Sequence, residues 1–282
     1  MRSSIRLALV AAMALFATPA LAQKLELPDL SPRAEVMQTA GITTITVNYA
    51  SPGVKGRKIF GELVPFGKLW RTGANAATTI EVSSDVKIGG QAVPAGKYAI
   101  FTIPTQDKWT VIINKNPNQG GTRNYDQKLD QARFEVKPGK APMTFERMTW
   151  LFTDAKDGST ALHLMWDDVQ VTLPIEIETA KMVDAGITGY AKGAARSLAN
   201  AARHYKRAGD LDKALAMVDH GLSLDGENWF ILWIKADVLA AKGDIKAAYP
   251  IAQKAYDLGM KADYFFWKDM IAGKLEEWKS KK

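Results

Sequence analysis

The sequence predicts a two-module α+β protein: an N-terminal antiparallel β-sandwich or open barrel over residues 23–180, then a C-terminal α-helical repeat array over residues 181–282. Three observations carry this. Short alternating apolar runs separated by Gly, Pro, Asn and Asp fill the first part. Alanine-rich helical periodicity replaces them near residue 180, and Gly209-Asp210-Leu211 recurs as Gly243-Asp244-Ile245, 34 residues later. At 282 residues, 47% hydrophobic and 24% charged, the chain has apolar material for two cores.

The first 22 residues read as an export signal. Arg2 and Arg6 precede the apolar run Leu7 to Ala17, and Ala20-Leu21-Ala22 supplies small residues at a cleavage site after Ala22. That run is too short for the roughly 20 residues a bilayer span needs, and Pro19 interrupts it. No later stretch reads as a transmembrane segment. The expected product begins at Gln23 and is periplasmic or secreted. Losing Arg2 and Arg6 lowers the formal charge from +7 to +5. So mild a surplus, without a concentrated basic stripe, gives no expectation of nucleic-acid binding. With no cysteine, disulfides, thiolate nucleophiles and thiolate metal sites are excluded. His163, His204 and His220 are too scattered for a histidine-rich metal centre, so neither metal nor cofactor is expected.

The strands follow in order at Ile42 to Tyr49, Thr78 to Val86, Lys97 to Ile103, Trp109 to Asn114, Ala132 to Lys137, Thr144 to Thr153, Thr160 to Trp166 and Val169 to Glu178. In the last, Val169, Val171, Leu173, Ile175 and Ile177 share one face, the mark of a half-buried strand. Turns are expected at Gly89-Gly90, at 105–108, at 156–159 and at Asp167-Asp168. Beyond residue 180, each repeated glycine suits a left-handed helix end and each repeated aspartate an N-cap. The 34-residue period, with Leu198, Ala202, Tyr205, Gly209 and Ala214 echoed by Leu232, Ala236, Leu239, Gly243 and Ala248, resembles tetratricopeptide helix pairs. Ala262 to Lys279 reads as a terminal capping helix.

The most specific pattern runs from Ser51 to Ile80 (SPGVKGRKIFGELVPFGKLWRTGANAATTI), followed by Pro94 to Tyr98, Phe101 to Pro104 and Trp109 to Asn114. This succession resembles the domain of unknown function 2911 family over about residues 30–175. The resemblance implies an exported β-rich domain, sometimes followed by helical repeats. It implies no activity and no catalytic set.

Chemistry is therefore read from the residues. Lys55, Arg57, Lys58, Lys68 and Arg71 face one anion, Glu62, among glycines that let backbone approach a ligand. Arg71 beside Trp70, with Asn75 shortly after and Lys55 or Arg57 assisting, forms a candidate site for a carboxylate, a phosphate or an anionic glycan. The same residues fit a plainer account, in which Trp70 is core, Arg71 pairs with a carboxylate or caps carbonyls, and the lysines are solvated. His163 reads as a strand residue, exposed or sandwiched, rather than a base. No serine elbow or zinc helix motif occurs, and the spacing of Glu62, Glu81, Glu135 and Glu146 singles out no acid pair. In the helical part, Trp229, Trp233, Phe266 and Trp267 are candidate contacts for a protein or peptide partner. Four consecutive aromatics, Tyr264 to Trp267, cannot all face one helical core. The expected function is a non-enzymatic binding or scaffold protein. The alternative is a cell-envelope hydrolase or transferase acting on an anionic glycan or peptide, with Arg71 orienting it.

Overall fold

The computed structural model describes residues 27–281; the expected leader lies outside them. Two antiparallel sheets form the first part. One contains β1 (Arg33–Ala40), β2 (Thr43–Ala50), β3 (Thr78–Val82), β6 (Gly96–Pro104), β7 (Trp109–Asn114) and β8 (Asp130–Val136), in the order β1-β2-β3-β6-β7-β8. The other contains β4 (Val86–Ile88), β5 (Gln91–Val93), β9 (Gly139–Lys156) and β10 (Ser159–Ile177), in the order β5-β4-β10-β9. Their inner faces share one core. Ile45, Val47, Ile80, Ile100, Val111 and Ile113 come from the first sheet, and Ile88, Trp150, Leu162, Leu164, Leu173 and Ile175 from the second. Each set occupies alternate positions of its strand, as period-two patterning requires.

β6 and β7 are buried on both faces. Behind the shared core, Ala99, Phe101 and Ile112 pack with Ala77 beneath the flanking loops, together with half-buried Leu69 and Tyr125. This double burial explains why Tyr98 to Phe101 and Val111 to Ile113 are continuous apolar runs rather than alternating ones.

Two strand expectations are corrected. The run Thr78 to Val86 is not one strand: it breaks at Ser83-Ser84 into β3 and β4, which belong to different sheets. The crossing is pinned where Ser83 N donates to Thr44 O (3.0 Å) and Thr44 N to Ser83 Oγ (2.8 Å). Asp167-Asp168 is not a turn either. The two runs it was expected to separate are one strand, β10, with a register shift on either side of Asp167, whose φ is 56°. A bulge absorbs the extra residue without ending the strand.

Strand gives way to helix at Glu178. The helices are α1 (Thr179–Arg207), α2 (Leu211–Leu224), α3 (Trp229–Ala241), α4 (Ile245–Gly259) and α5 (Lys268–Trp278). Gly209 (φ 83°) and Gly243 (φ 88°) end α1 and α3 in the left-handed region. Asp210 and Asp244 then cap α2 and α4, accepting from Lys213 N (3.1 Å) and Ala247 N (2.9 Å). Small residues allow the close packing: Ala195, Ala199 and Ala202 of α1 meet Ala214 and Val218 of α2, while Ala236, Ala248, Ala252 and Ala255 line the next layer. α5 closes the array, Trp278 stacking on Trp233 with centroids 5.9 Å apart.

Candidate functional site

Cross-strand register builds the outer face of the six-stranded sheet. One row runs Glu35, Asn48, Thr79, Ala99, Asn114, Asp130, each residue paired with the next. In the neighbouring rows Arg33 lies opposite Ala50, and Glu81 opposite Lys97. The β6 to β8 half of this face is roofed by loops. At the boundary with the open half lies a groove of about 470 Å³. Asn48, Thr79, Arg33 and Lys97 reach it from the strands, Ala74 to Ala77 from the end of the glycine-rich segment, and Pro117 to Gly120 from the loop after β7.

Both loops are held tightly. Ala77 N donates to Gln119 O (2.9 Å), tying them together. Gln119 Nε2 donates to Asn114 Oδ1 (3.1 Å) and Asn116 O (2.7 Å). Asn114 Nδ2 in turn donates to Asp130 Oδ1 (2.9 Å), whose other oxygen accepts from Tyr125 Oη (2.7 Å) and Arg133 Nη1 (3.2 Å). Burial, reinforced by the Asp130 hydrogen bond and charge, pushes the Tyr125 hydroxyl up to about 12, with Arg133 opposing. Tyr125 therefore remains a neutral donor at any physiological pH. Thr72, a β-branched residue at φ 55°, is fixed by its own bond to Thr102 Oγ1 (3.2 Å) and by Thr78 Oγ1 donating to Thr72 O (2.7 Å). Such a conformation costs about 1–3 kcal/mol and persists only where surroundings over-determine it.

The groove's chemistry is polar and cationic. Four amide side chains, Asn48, Asn75, Asn118 and Gln119, share it with Arg33 and Lys97, and no Asp or Glu is among its lining residues. Lys97 has Glu81 at 3.7 Å, with both side chains about half exposed, so water screens the pair. Arg33 has no carboxylate partner among the described residues. Gln119 is buried, and its Oε1 lacks a hydrogen-bond donor. An orphaned buried acceptor costs about 1–3 kcal/mol.

The expected site residues do not converge. Asn75 lines the groove, at φ 57°. Trp70 does not: it is a core residue, edge-on to Phe60 and Trp109 and stacked on Trp166. Arg57 binds its own loop, donating to Val54 O (3.0 Å) and Gly53 O (2.5 Å). Lys55 N donates to Glu146 Oε1 (3.0 Å), which fixes it beside β9, away from the groove lining. Lys58 pairs with Glu62 at 3.3 Å. The Trp70–Thr102 bridge ties the glycine-rich segment to β6, with Trp70 in the core and Arg71 half-buried beside it. Arg71 has no carboxylate partner among the described residues, and its Nε is buried without an acceptor. It does not line the groove. Sequence reasoning missed Arg33, Asn48, Lys97 and Gln119. The outward phase of Asn48 was visible, but the register that gathers them was not.

In the helical part, Trp233 is core, stacked on Trp278. Trp229 and Trp267 are half-buried, and Phe266 is 45% exposed. Among the described residues no group of three or more His, Cys, Asp or Glu is placed to hold a metal, and no helix is long and apolar enough to cross a membrane.

A two-sheet antiparallel module followed by helices, with a glycine-rich segment plugging the core, is the class of protein defined here. The chain belongs to the family of proteins of unknown function DUF2911, whose model matches residues 31–175. No curated protein and no solved structure matches it.

Proposed function

We propose that this is an exported, non-enzymatic binding or scaffold protein. Its β module, read as a sandwich, takes an anionic, hydroxyl-bearing glycan or small molecule in the groove. Its helices, read as tetratricopeptide-like repeats, take a protein partner. The observation that carries the ligand reading is the lining: four amides and two cations without a carboxylate. Amides donate and accept, which suits vicinal hydroxyls, while Arg33 suits a carboxylate through its two-pronged geometry. Binding is preferred to hydrolysis because the usual glycosidase chemistry needs two carboxyl groups flanking the bond, and the lining contains none.

Titration calorimetry with residues 23–282 tests this, using oligogalacturonate and its methyl-esterified form as probes. The acidic form should bind, the esterified form more weakly, and Asn75→Ala should weaken binding by about 0.5–1.5 kcal/mol, the worth of one hydrogen bond. Equal binding of both forms, or none, rejects the groove as an anionic-ligand site.

A further inference from the structure

One flank of α1 gathers four cations. Lys192, Arg196, Arg203 and Arg207 fall within about 60° of one another at 100° per residue. None has a carboxylate partner among the described residues, whereas Lys206, Lys213, Lys235 and Lys242 each hold an aspartate. Two of the four are fixed by rings: the Arg196 guanidinium lies 5.5 Å from the Phe230 centroid, and that of Arg203 lies 5.4 Å from Trp267. Those two rings stack on each other at 5.2 Å and 21°. Ring contact uses a guanidinium's face and leaves its in-plane N–H groups free for oxygen acceptors.

Beside Arg196 the surface opens into a pocket of about 210 Å³ walled by Trp229, Phe230, Tyr264 and Phe266. Tyr264 is 73% exposed at its rim. This volume lies below the ~300–1,000 Å³ of small-molecule and cofactor sites, so it suits one inserted side chain. An apolar pocket flanked by immobilised, unpaired arginines is complementary to a chain of opposite charge.

We propose that the α1 stripe and this pocket dock an acidic polypeptide segment, one apolar side chain entering the pocket lined by Trp229, Phe230, Tyr264 and Phe266 and carboxylates meeting Arg196 and Arg203. This rests on the reading that the helices take a protein partner, and names that partner's chemistry.

Fluorescence anisotropy with residues 23–282 tests it, using a short labelled peptide of glutamates around a central leucine. Its comparators carry glutamine for glutamate, or alanine for leucine. The acidic leucine peptide should bind at least about tenfold more tightly than the glutamine peptide. Arg196→Gln and Arg203→Gln should each lose most of that preference, and Phe266→Ser should abolish the preference for leucine. Circular dichroism melts of the two arginine variants should stay near the parent's, since both side chains are exposed, and that of Phe266→Ser should still show a folded helical part. If the glutamine peptide binds equally well, the acidic inference falls and the partner reading stands. If no peptide binds, both fall. If the acidic alanine peptide, or anionic vesicles, bind as well as the leucine peptide and all three variants bind unchanged, the surface is a non-specific polyanion contact and the inference is rejected.

Discussion

Trp70 and Trp166 stack across the core between the two sheets, their ring centroids 5.8 Å apart and their planes 22° apart. Trp70 comes from the glycine-rich segment and Trp166 from β10, with Phe60 meeting both edge-on at 6.1 and 6.0 Å. The segment most distinctive in sequence thus inserts its aromatics as a plug, and Lys55, Arg57, Lys58 and Lys68 are left exposed while Arg71 is half-buried.

Trp70→Ala should therefore destabilise the β module by about 3–5 kcal/mol, the range for removing a large buried aromatic. Denaturant unfolding followed through the β module measures it. A loss below about 1 kcal/mol would mean that the ring is not packed as described.

Arg33 and Arg71 should separate in their effects. Both lack a carboxylate partner among the described residues, but Arg33 alone lines the groove. Arg33→Gln is expected to weaken oligogalacturonate binding by about 1.5–3 kcal/mol, the range for hydrogen bonds to charged groups, with little change in melting temperature. Arg71→Gln should leave binding almost unchanged. The reverse pattern in calorimetry would move the site to Arg71.

His163 makes the β module sensitive to acid. It is buried on the outer face of β10, with Nε2 at 2.7 Å from Thr153 Oγ1 and Nδ1 at 2.9 Å from Thr172 Oγ1 and 3.2 Å from Gln170 Nε2. Burial holds its pKa below the usual histidine value, with Asp154 partly opposing. The unfolded chain therefore takes up the proton first as pH falls, at about 6.5. The stabilisation is whole above that value and declines below it, until the folded imidazole itself titrates. Urea midpoints at about pH 8 and about pH 5 should fall further apart in the parent than in His163→Gln. Equal spacing in the two proteins contradicts the assignment.

The strands and helices were legible because they follow local period. Val171, Leu173, Ile175 and Ile177 announce a half-buried strand, and the 34-residue echo marks both helix turns. The break at Ser83-Ser84 was not legible, because the alternating run continues through it and only the competing sheet decides where it divides. β1 was missed for a related reason: Arg33, Glu35 and Met37 face outward on an edge strand, leaving few apolar residues to mark it. The site was least legible. Asn75 was found within the glycine-rich segment, but Arg33 and Gln119 meet it only through register and loop ties. Trp70 looked like a candidate wall because an aromatic beside an arginine reads the same whether its ring faces a ligand or the core.

Glycine substitutions should change stability in opposite directions at two kinds of position. An added Cβ would meet nothing within 4 Å at Gly209, Gly243, Gly186 or Gly193, so packing cannot decide the outcome at any of them. Backbone conformation must decide it. Gly209 and Gly243 have φ of 83° and 88°, where an L side chain crowds its own backbone; alanine there should cost about 1–2 kcal/mol. Gly186 and Gly193 lie inside α1 at ordinary helical φ, where glycine's excess unfolded-state freedom opposes folding. Alanine there should stabilise by about 0.4–1 kcal/mol. Thermal melts of the four single variants test the contrast. A stable Gly209→Ala protein would show that α1 does not end in the left-handed turn that leads into α2. A destabilised Gly186→Ala protein would show that this exposed stretch of helix is covered by something that needs its bare backbone.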